Sequence, residues 1–316
     1  MSKLLRSNLQ LIIVVVILVS LMLYKGNVEL LLRSLSFIVI WSVVVVPLNL
    51  LTGWLGILAW TQAGAAAIGG YVAALLVMEL GIPWPVGMIG GMVAMAIVGG
   101  ILGLPSLRVK GHQFMVLNFA FMIVITQIII NMDWLTRGAD GLWPIPRPWV
   151  FGWVPRTPAQ YILFCLPFLA AVSTVCWRIA NSPLGRAYQA VRDDEIAAEA
   201  LGKDVIRIKV TAFMLVSALG AVAGALYAFY VTALDPAVFD VHQSIYIGAM
   251  VILGGIGSLV RGSILGVAVL LTAPLLISLY VSMPRAIEAP FRGLLYGLML
   301  IVLMMFRPQG LMGKGE

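Results

Sequence analysis

Charge is what this sequence has least of. Among 316 residues only 10% are Asp, Glu, Lys or Arg, against about 25% in a soluble globular chain. Twenty basic and 13 acidic side chains are too few to cover a water-exposed surface of this size, which excludes a soluble globular enzyme. Cysteine is nearly absent too. Cys165 and Cys176 stand eleven positions apart in one apolar stretch, about 16 Å along a helix, too far for a disulfide between them. Both read as packing residues. His112 and His242 are the only two histidines, and no HExxH, GxSxG or Cys/His ligand pattern is present, so no metal or other cofactor is implied. No GxxxxGK[ST] occurs either: the C-terminal GLMGKGE lacks the first glycine and the hydroxyl after lysine, and the chain is not expected to hydrolyse nucleotide itself. The net charge of +7 comes without a single pair of adjacent basic residues, so the footprint of a nucleic-acid binder is missing.

Apolar residues are what remain. They make up 62% of the chain, and mean hydropathy is +1.05, enough for roughly ten helices at the ~20 apolar residues each bilayer crossing needs. The expected fold is all-α: a polytopic integral membrane protein of about ten transmembrane helices forming a single domain over residues 1–316. Polar punctuation divides it into runs 8–24, 34–52, 63–80, 85–106, 112–132, 159–178, 210–233, 244–258, 262–282 and 291–306. The eighth run is short and ends in glycines, so it reads as either a tilted crossing or a re-entrant segment. Ten crossings place both termini on one side. That side then holds thirteen of the 20 basic residues, among them Lys3, Arg6, Arg108, Lys110, Arg307 and Lys314, and the excess assigns it to the cytoplasm. The same count favours a crossing for the eighth run, because a re-entrant loop would move Arg307 and Lys314 outside. MSKLLRSN followed by an apolar run has the shape of a secretory signal, but no small-residue cleavage pattern follows, so the run is expected to stay as the first helix.

Within the spans, glycines stand four apart at Gly87 and Gly91, Gly99 and Gly103, Gly220 and Gly224, Gly262 and Gly266, and Gly293 and Gly297. Small residues at this spacing let helix backbones approach closely. The polar residues inside the spans are uncharged: Asn49, Thr61, Gln62, Asn118, Gln127, Asn131 and Ser217. They either hydrogen-bond neighbouring helices or line a path for a neutral or zwitterionic solute. No intramembrane ionisable pair stands among them, as an ion-coupled carrier would require.

Charge concentrates in one place. Between Arg178 and Lys209 lie six basic and five acidic residues, a third of all the charge in the chain. Ser182 and Pro183 start a helix, Asp193, Asp194 and Glu195 favour a second helix N-terminus, and Gly202 is its expected stop. Such a short helix with a small-residue face suits a groove on a partner better than it suits a simple connector.

GRAYQAVRDDEIAAEALGKDVIRIKVTAF resembles the coupling loop of ATP-driven importer permeases, in the form used by the branched-chain amino acid permeases. ALGAVAGALYAFYVTALDPAVFDVHQSI, MVILGGIGSLVRGSILG and YGLMLIVLMMFRPQGL resemble that family in order and spacing, as do LNLLTGWLGILAWTQAGAAAIGGYVAALL, LRVKGHQF and LTRGADGLWPIP upstream. The resemblance covers about residues 47 to 312. It implies an M-type membrane subunit of a leucine/isoleucine/valine importer in the bacterial inner membrane. Its implied partners are a homologous H-type permease, two cytoplasmic ATPases and a periplasmic binding protein. It implies that Arg192, Asp193, Asp194, Glu195, Ala197, Ala198, Glu199 and Gly202 form the ATPase-coupling element within cytoplasmic loop 181–209. Gly254, Gly255, Gly257 and Ser258 become a conformationally sensitive helix break, and Asn49, Thr61, Gln62, Asn118 and Gln127 candidates for the translocation path. External loop 133–158 is where the binding protein would dock. Ile57, Ala59 and Thr61 replace a glutamine, a serine and a glycine usual in the family, so urea, short amides or aromatic acids remain alternative solutes. A passive channel or structural membrane subunit is the rival of another class.

Overall fold

A computed structural model describes residues 28–104, 112–150, 152–280, 285–306 and 309–312. The expected first span, 8–24, and the basic residues Lys3, Arg6, Arg108, Lys110, Arg307 and Lys314 lie outside the described residues. The elements are α1 (Val28–Leu50), α2 (Gln62–Glu79), α3 (Trp84–Gly103), α4 (His112–Asn131), α5 (Pro158–Ala180), α6 (Pro183–Asp193), α7 (Glu195–Ala200), α8 (Val205–Val231), α9 (Val241–Gly254), α10 (Arg261–Tyr280) and α11 (Arg285–Phe306). Six helices among the described residues are long and apolar enough to cross a bilayer, and three more apolar helical stretches are shorter: Val241–Gly254, Arg261–Ala273 and Gly293–Val302. The protein is therefore a multi-pass helical membrane protein. The eighth expected run is the 14-residue α9, about 21 Å at 1.5 Å per residue and short of a hydrocarbon core of about 30 Å.

The sequence predicts α1 from residue 34, but it begins at Val28 because Glu29 and Arg33 pair across one turn at 2.7 Å and extend the helix past its apolar start. From Ile40 to Thr52 every residue of this run is buried, as expected of a helix apolar on all sides. Pro47 sits inside α1 and supplies no N–H to the turn before it. The helix then widens into a π-turn, Leu51–Leu55, which ends at Gly56 with φ 74°, and residues 56–61 run without regular structure to Thr61, which precedes α2.

Glycine spacing explains the tightest packing. A Cβ on Gly91 would stand 2.6 Å from the Gly69 carbonyl oxygen, and one on Gly69 or Gly224 would collide with the backbone of Ala221 or Ala66. So α2, α3 and α8 meet backbone to backbone, where dispersion and close approach replace the hydrophobic drive that lipid does not provide. Gly266 and Gly262 do the same for α10 against α9, at Met250 and Gly254. The fifth glycine pair differs: among the described residues Gly297 has nothing within 4 Å and Gly293 only the Tyr246 hydroxyl at 3.7 Å. Cys165 and Cys176 are free and buried.

The segment between α4 and α5 folds back on the end of α8. Leu142 and Leu234 exchange two backbone hydrogen bonds of 2.9 Å, and Ile145 donates to the Thr232 carbonyl at 2.9 Å. The Trp84 indole N–H donates to the Trp149 carbonyl at 2.7 Å, pinning the segment to the start of α3. A capping box of Thr157 and Gln160 then opens α5. Since α5 runs the length of the bundle, this segment and the α6–α7 segment lie at opposite ends of it.

Candidate functional site

The α6–α7 segment is built by cap chemistry. The Ser182 hydroxyl accepts from the N–H groups of Leu184 and Gly185 and Pro183 fills the first helical position, so α6 starts without orphan donors. A side chain on Gly185 would strike the carbonyls of Ile179 and Ala180, so this glycine sets how closely α5 turns into α6. Tyr188 and Val191 bury the inner face of α6. Burial pushes the Tyr188 hydroxyl up to about 12, so it stays neutral and anchors by packing.

Asp193 closes α6 and is exposed, and Asp194 turns the chain. Its backbone is extended, and its carboxylate accepts from Ile196 N–H at 2.9 Å and Ala197 N–H at 3.0 Å, capping α7. The stop is a Schellman motif: Gly202, at φ 78°, donates to the Glu199 carbonyl at 2.9 Å and Lys203 to the Ala198 carbonyl at 3.0 Å. Ala198 is buried, whereas Ala197 and Glu199 face outward. So do Ile196 and Leu201, 73% and 80% exposed. Two apolar side chains held this far out on a six-residue helix form a rigid, unpartnered knob.

Two side chains fix the knob to the bundle. Glu195 Oε1 meets Lys209 Nζ at 2.6 Å, the lysine side chain being only 9% exposed, which ties α7 to the first turns of α8. Arg192 Nη1 donates to the Gly53 carbonyl at 2.6 Å, which ties the end of α6 to the π-turn of α1.

Asn49 and the glycine-rich break between α9 and α10, predicted separately, come together. Asn49 Oδ1 accepts from Gly257 N–H at 3.0 Å. Its Nδ2 lies 3.0 Å from Ser263 Oγ and 3.3 Å from the carbonyls of Gly255 and Ser258. The break itself follows from Gly255 and Gly257, both in conformations of positive φ that side chains resist. Gly254 is the last residue of α9. One contact here has no signal in local sequence: Leu311 and Met312 donate to the carbonyls of Leu253 and Gly254 at 2.9 and 3.0 Å, so residues 310–312 cap α9.

The remaining polar residues divide. Thr61 and Gln62 are buried at the start of α2, and the Thr61 hydroxyl and both Gln62 amide atoms have no hydrogen-bond partner among the described residues. Beside them the Trp60 ring stacks on Phe119 of α4 at 5.1 Å, and Ser244 Oγ of α9 accepts from Ala63 N–H at 3.3 Å. Asn118 is buried but turned back on its own helix, donating to the Phe114 carbonyl at 2.8 Å. Gln127 lies on the exposed face of α4, where its backbone carbonyl accepts from Asn131 at 2.7 Å. The two are not brought to the Thr61–Gln62 cluster. Among the described residues no three His, Cys, Asp or Glu side chains group as a metal site.

Comparison with known proteins agrees with this architecture. A family model described as the permease component of branched-chain amino acid transport systems matches residues 30–304. The chain is similar to the high-affinity branched-chain amino acid permease protein LivM of Salmonella typhimurium and that of Escherichia coli, at 30% identity in each case. Both alignments cover 92% of this chain and 71% of the relative. It is also 26% identical to a probable LivM of Methanocaldococcus jannaschii, over 88% of this chain and 92% of that one. LivH of Escherichia coli is more distant, at 24% identity over 87% of this chain. Closer likeness to the M-type than to the H-type proteins, and a match from α1 to α11, place this chain in the branched-chain amino acid permease family.

Proposed function

We propose that this chain is the M-type permease subunit of an ATP-driven importer that carries branched-chain amino acids across the bacterial inner membrane. The observation that carries the reading is the α6–α7 segment: a capped, doubly tied helix that presents Ile196 and Leu201 to something outside the chain. On this reading the chain forms one domain over residues 1–316, with loop 181–209 and both termini cytoplasmic and loop 133–158 external. Its partners are an H-type permease, two cytoplasmic ATPases that carry out the hydrolysis, and a periplasmic binding protein that docks at the external loop.

The energetics support this division of labour. Accumulating a solute 1,000-fold costs roughly 4 kcal/mol, and this chain has neither a P-loop nor an intramembrane ion-coupling pair with which to supply it. ATP binding would close the ATPase pair and move α7 as a rigid body, and the bundle would alternate its access from one side to the other. Thr61 and Gln62 suit a path for a zwitterion, since unpaired buried polar groups cost about 1–3 kcal/mol each and a polar solute or water removes that cost when it passes.

Uptake into proteoliposomes holding the four membrane and ATPase components, with binding protein outside, tests the reading. Labelled leucine should enter only with ATP, and excess isoleucine or valine should compete while urea should not. Failure of branched-chain amino acids to compete, with urea or an aromatic acid competing instead, moves the substrate to the other class.

A further inference from the structure

We propose that Arg192 is a positioning residue for transport, tying α7 to the break between α9 and α10 through the end of α1. This rests on the reading of α7 as the element that meets an ATPase.

The tie begins as a helix cap. The last carbonyls of a helix lack intrahelical partners and carry its negative end, so a guanidinium there is held by both hydrogen bonding and the dipole. Arg192 fills that role for α1 from a segment 139 positions away, at 2.6 Å from the Gly53 carbonyl. Its stem also passes over Gly56, where a Cβ would stand 2.9 Å from Arg192 Cγ. The arginine is therefore seated along its length rather than only at its tip.

The opposite side of the same turn meets the break directly. A Cβ on Gly53 would lie 2.9 Å from both the Cα and the nitrogen of Gly257, so the two backbones touch with no side chain between them. One turn earlier, Asn49 grips Gly255, Gly257, Ser258 and Ser263. Beyond the break, the segment 310–312 is hydrogen-bonded to the end of α9, and a side chain on Gly310 would stand 2.5 Å from the Gly255 Cα. Arg192, the turn 51–56, the break 255–258 and the segment 310–312 thus form one contiguous run of hydrogen-bonded or backbone-to-backbone contacts.

Two features make this run suited to transmission. The Glu195–Lys209 pair holds the start of α7 on α8, so α7 moves with α8 on one side and, through Arg192, with α1 on the other. The link in α1 is a π-turn, whose wider and poorer hydrogen bonding makes it the point of that helix most ready to change register. Displacement of α7 therefore reaches the break as a pull on the Gly53 carbonyl, and the break opens or closes the adjoining end of the bundle.

Spatial continuity alone does not establish coupling, and the ratio of solute moved to ATP hydrolysed tests it. The complete importer would be reconstituted with Arg192, Arg192→Lys or Arg192→Met, and leucine uptake and phosphate release measured together. The tie predicts that Arg192→Met lowers leucine transported per ATP at least tenfold and that Arg192→Lys, which keeps a donor on a shorter reach, falls between. Spin labels at Ala197→Cys and Ser258→Cys should show an ATP-dependent distance change that Arg192→Met abolishes. An unchanged ratio, or uptake and hydrolysis falling in proportion, overturns the proposal and leaves Arg192 a structural cap. Glu199→Arg and Gly202→Val serve as separate controls. If these variants still bind the ATPases normally, it is the reading of α7 that fails, whatever Arg192 does.

Discussion

At the scale of single residues, the side chains that matter most here bond across the fold rather than along it. Asn49 uses both ends of its amide on four groups of the α9–α10 break and is fully buried. Asn49→Leu would fill similar space but strand the Gly257 N–H, while Ser263 keeps its bond to the Leu259 carbonyl, and a buried group left unpaired costs about 1–3 kcal/mol. Thermal unfolding in detergent should show a lower midpoint for Asn49→Leu, and Asn49→Asp, which keeps the acceptor, should lose less. Thr61 and Gln62 present the reverse case. Their polar atoms have no partner to lose among the described residues, so Gln62→Leu should be neutral or stabilising in the same assay while reducing leucine uptake. A fall in stability equal to that of Asn49→Leu would make Gln62 a packing residue.

Elements show where sequence reasoning succeeds and where it stops. The start and stop of α7 are legible because cap chemistry is local: Asp194 bonds two and three positions ahead, and Gly202 supplies a backbone angle nearby. The close approach of α2, α3 and α8 is legible for the same reason, since glycines four apart carry their own geometry, whereas a break at Gly254–Ser258 is an expectation of the family resemblance. The Arg192–Gly53 bond and the docking of residues 310–312 are not legible, because nothing within a turn of either partner points to the other. Asn118 and Gln127 look alike in sequence, both amides within one apolar run. Only the helix phase separates them, one buried and bonded to its own backbone, the other outward. Glycine pairs make a direct test of the packing argument. Gly224→Ala places a methyl on the Ala66 carbonyl and should destabilise by about 1–3 kcal/mol, as overpacking does. Gly297→Ala meets nothing within 4 Å among the described residues and should be neutral or gain up to about 1 kcal/mol from helix propensity. Equal behaviour of the two would mean that the spacing reflects composition and not contact.

At the scale of the whole molecule, the exposed surface divides by chemistry in a way that a lone membrane protein does not need. The face of α4 bearing Val116, Ile123, Val124 and Ile128 is exposed, and Gln127 and Asn131 sit in that face. Lipid satisfies the aliphatic side chains but offers the two amides no partner beyond the Asn131–Gln127 contacts, whereas on the proposed reading a second permease with a water-filled seam between the two would suit both. The knob of Ile196 and Leu201 raises the same question at the end of the bundle, where apolar side chains stand among charged ones. On the proposed reading both surfaces are completed by partners in the importer. Two outcomes follow for the assembled importer. Gln127→Cys should react with a membrane-impermeant maleimide, and leucine-loaded binding protein with ATP should slow the reaction; a cysteine at Val93, exposed midway along α3, sets the lipid-facing baseline. Ile196→Asp combined with Leu201→Asp should leave the permease monodisperse in detergent, because neither side chain packs on the chain itself, and yet abolish co-purification of the ATPases. ATPases that still co-purify would require a contact outside the α6–α7 segment.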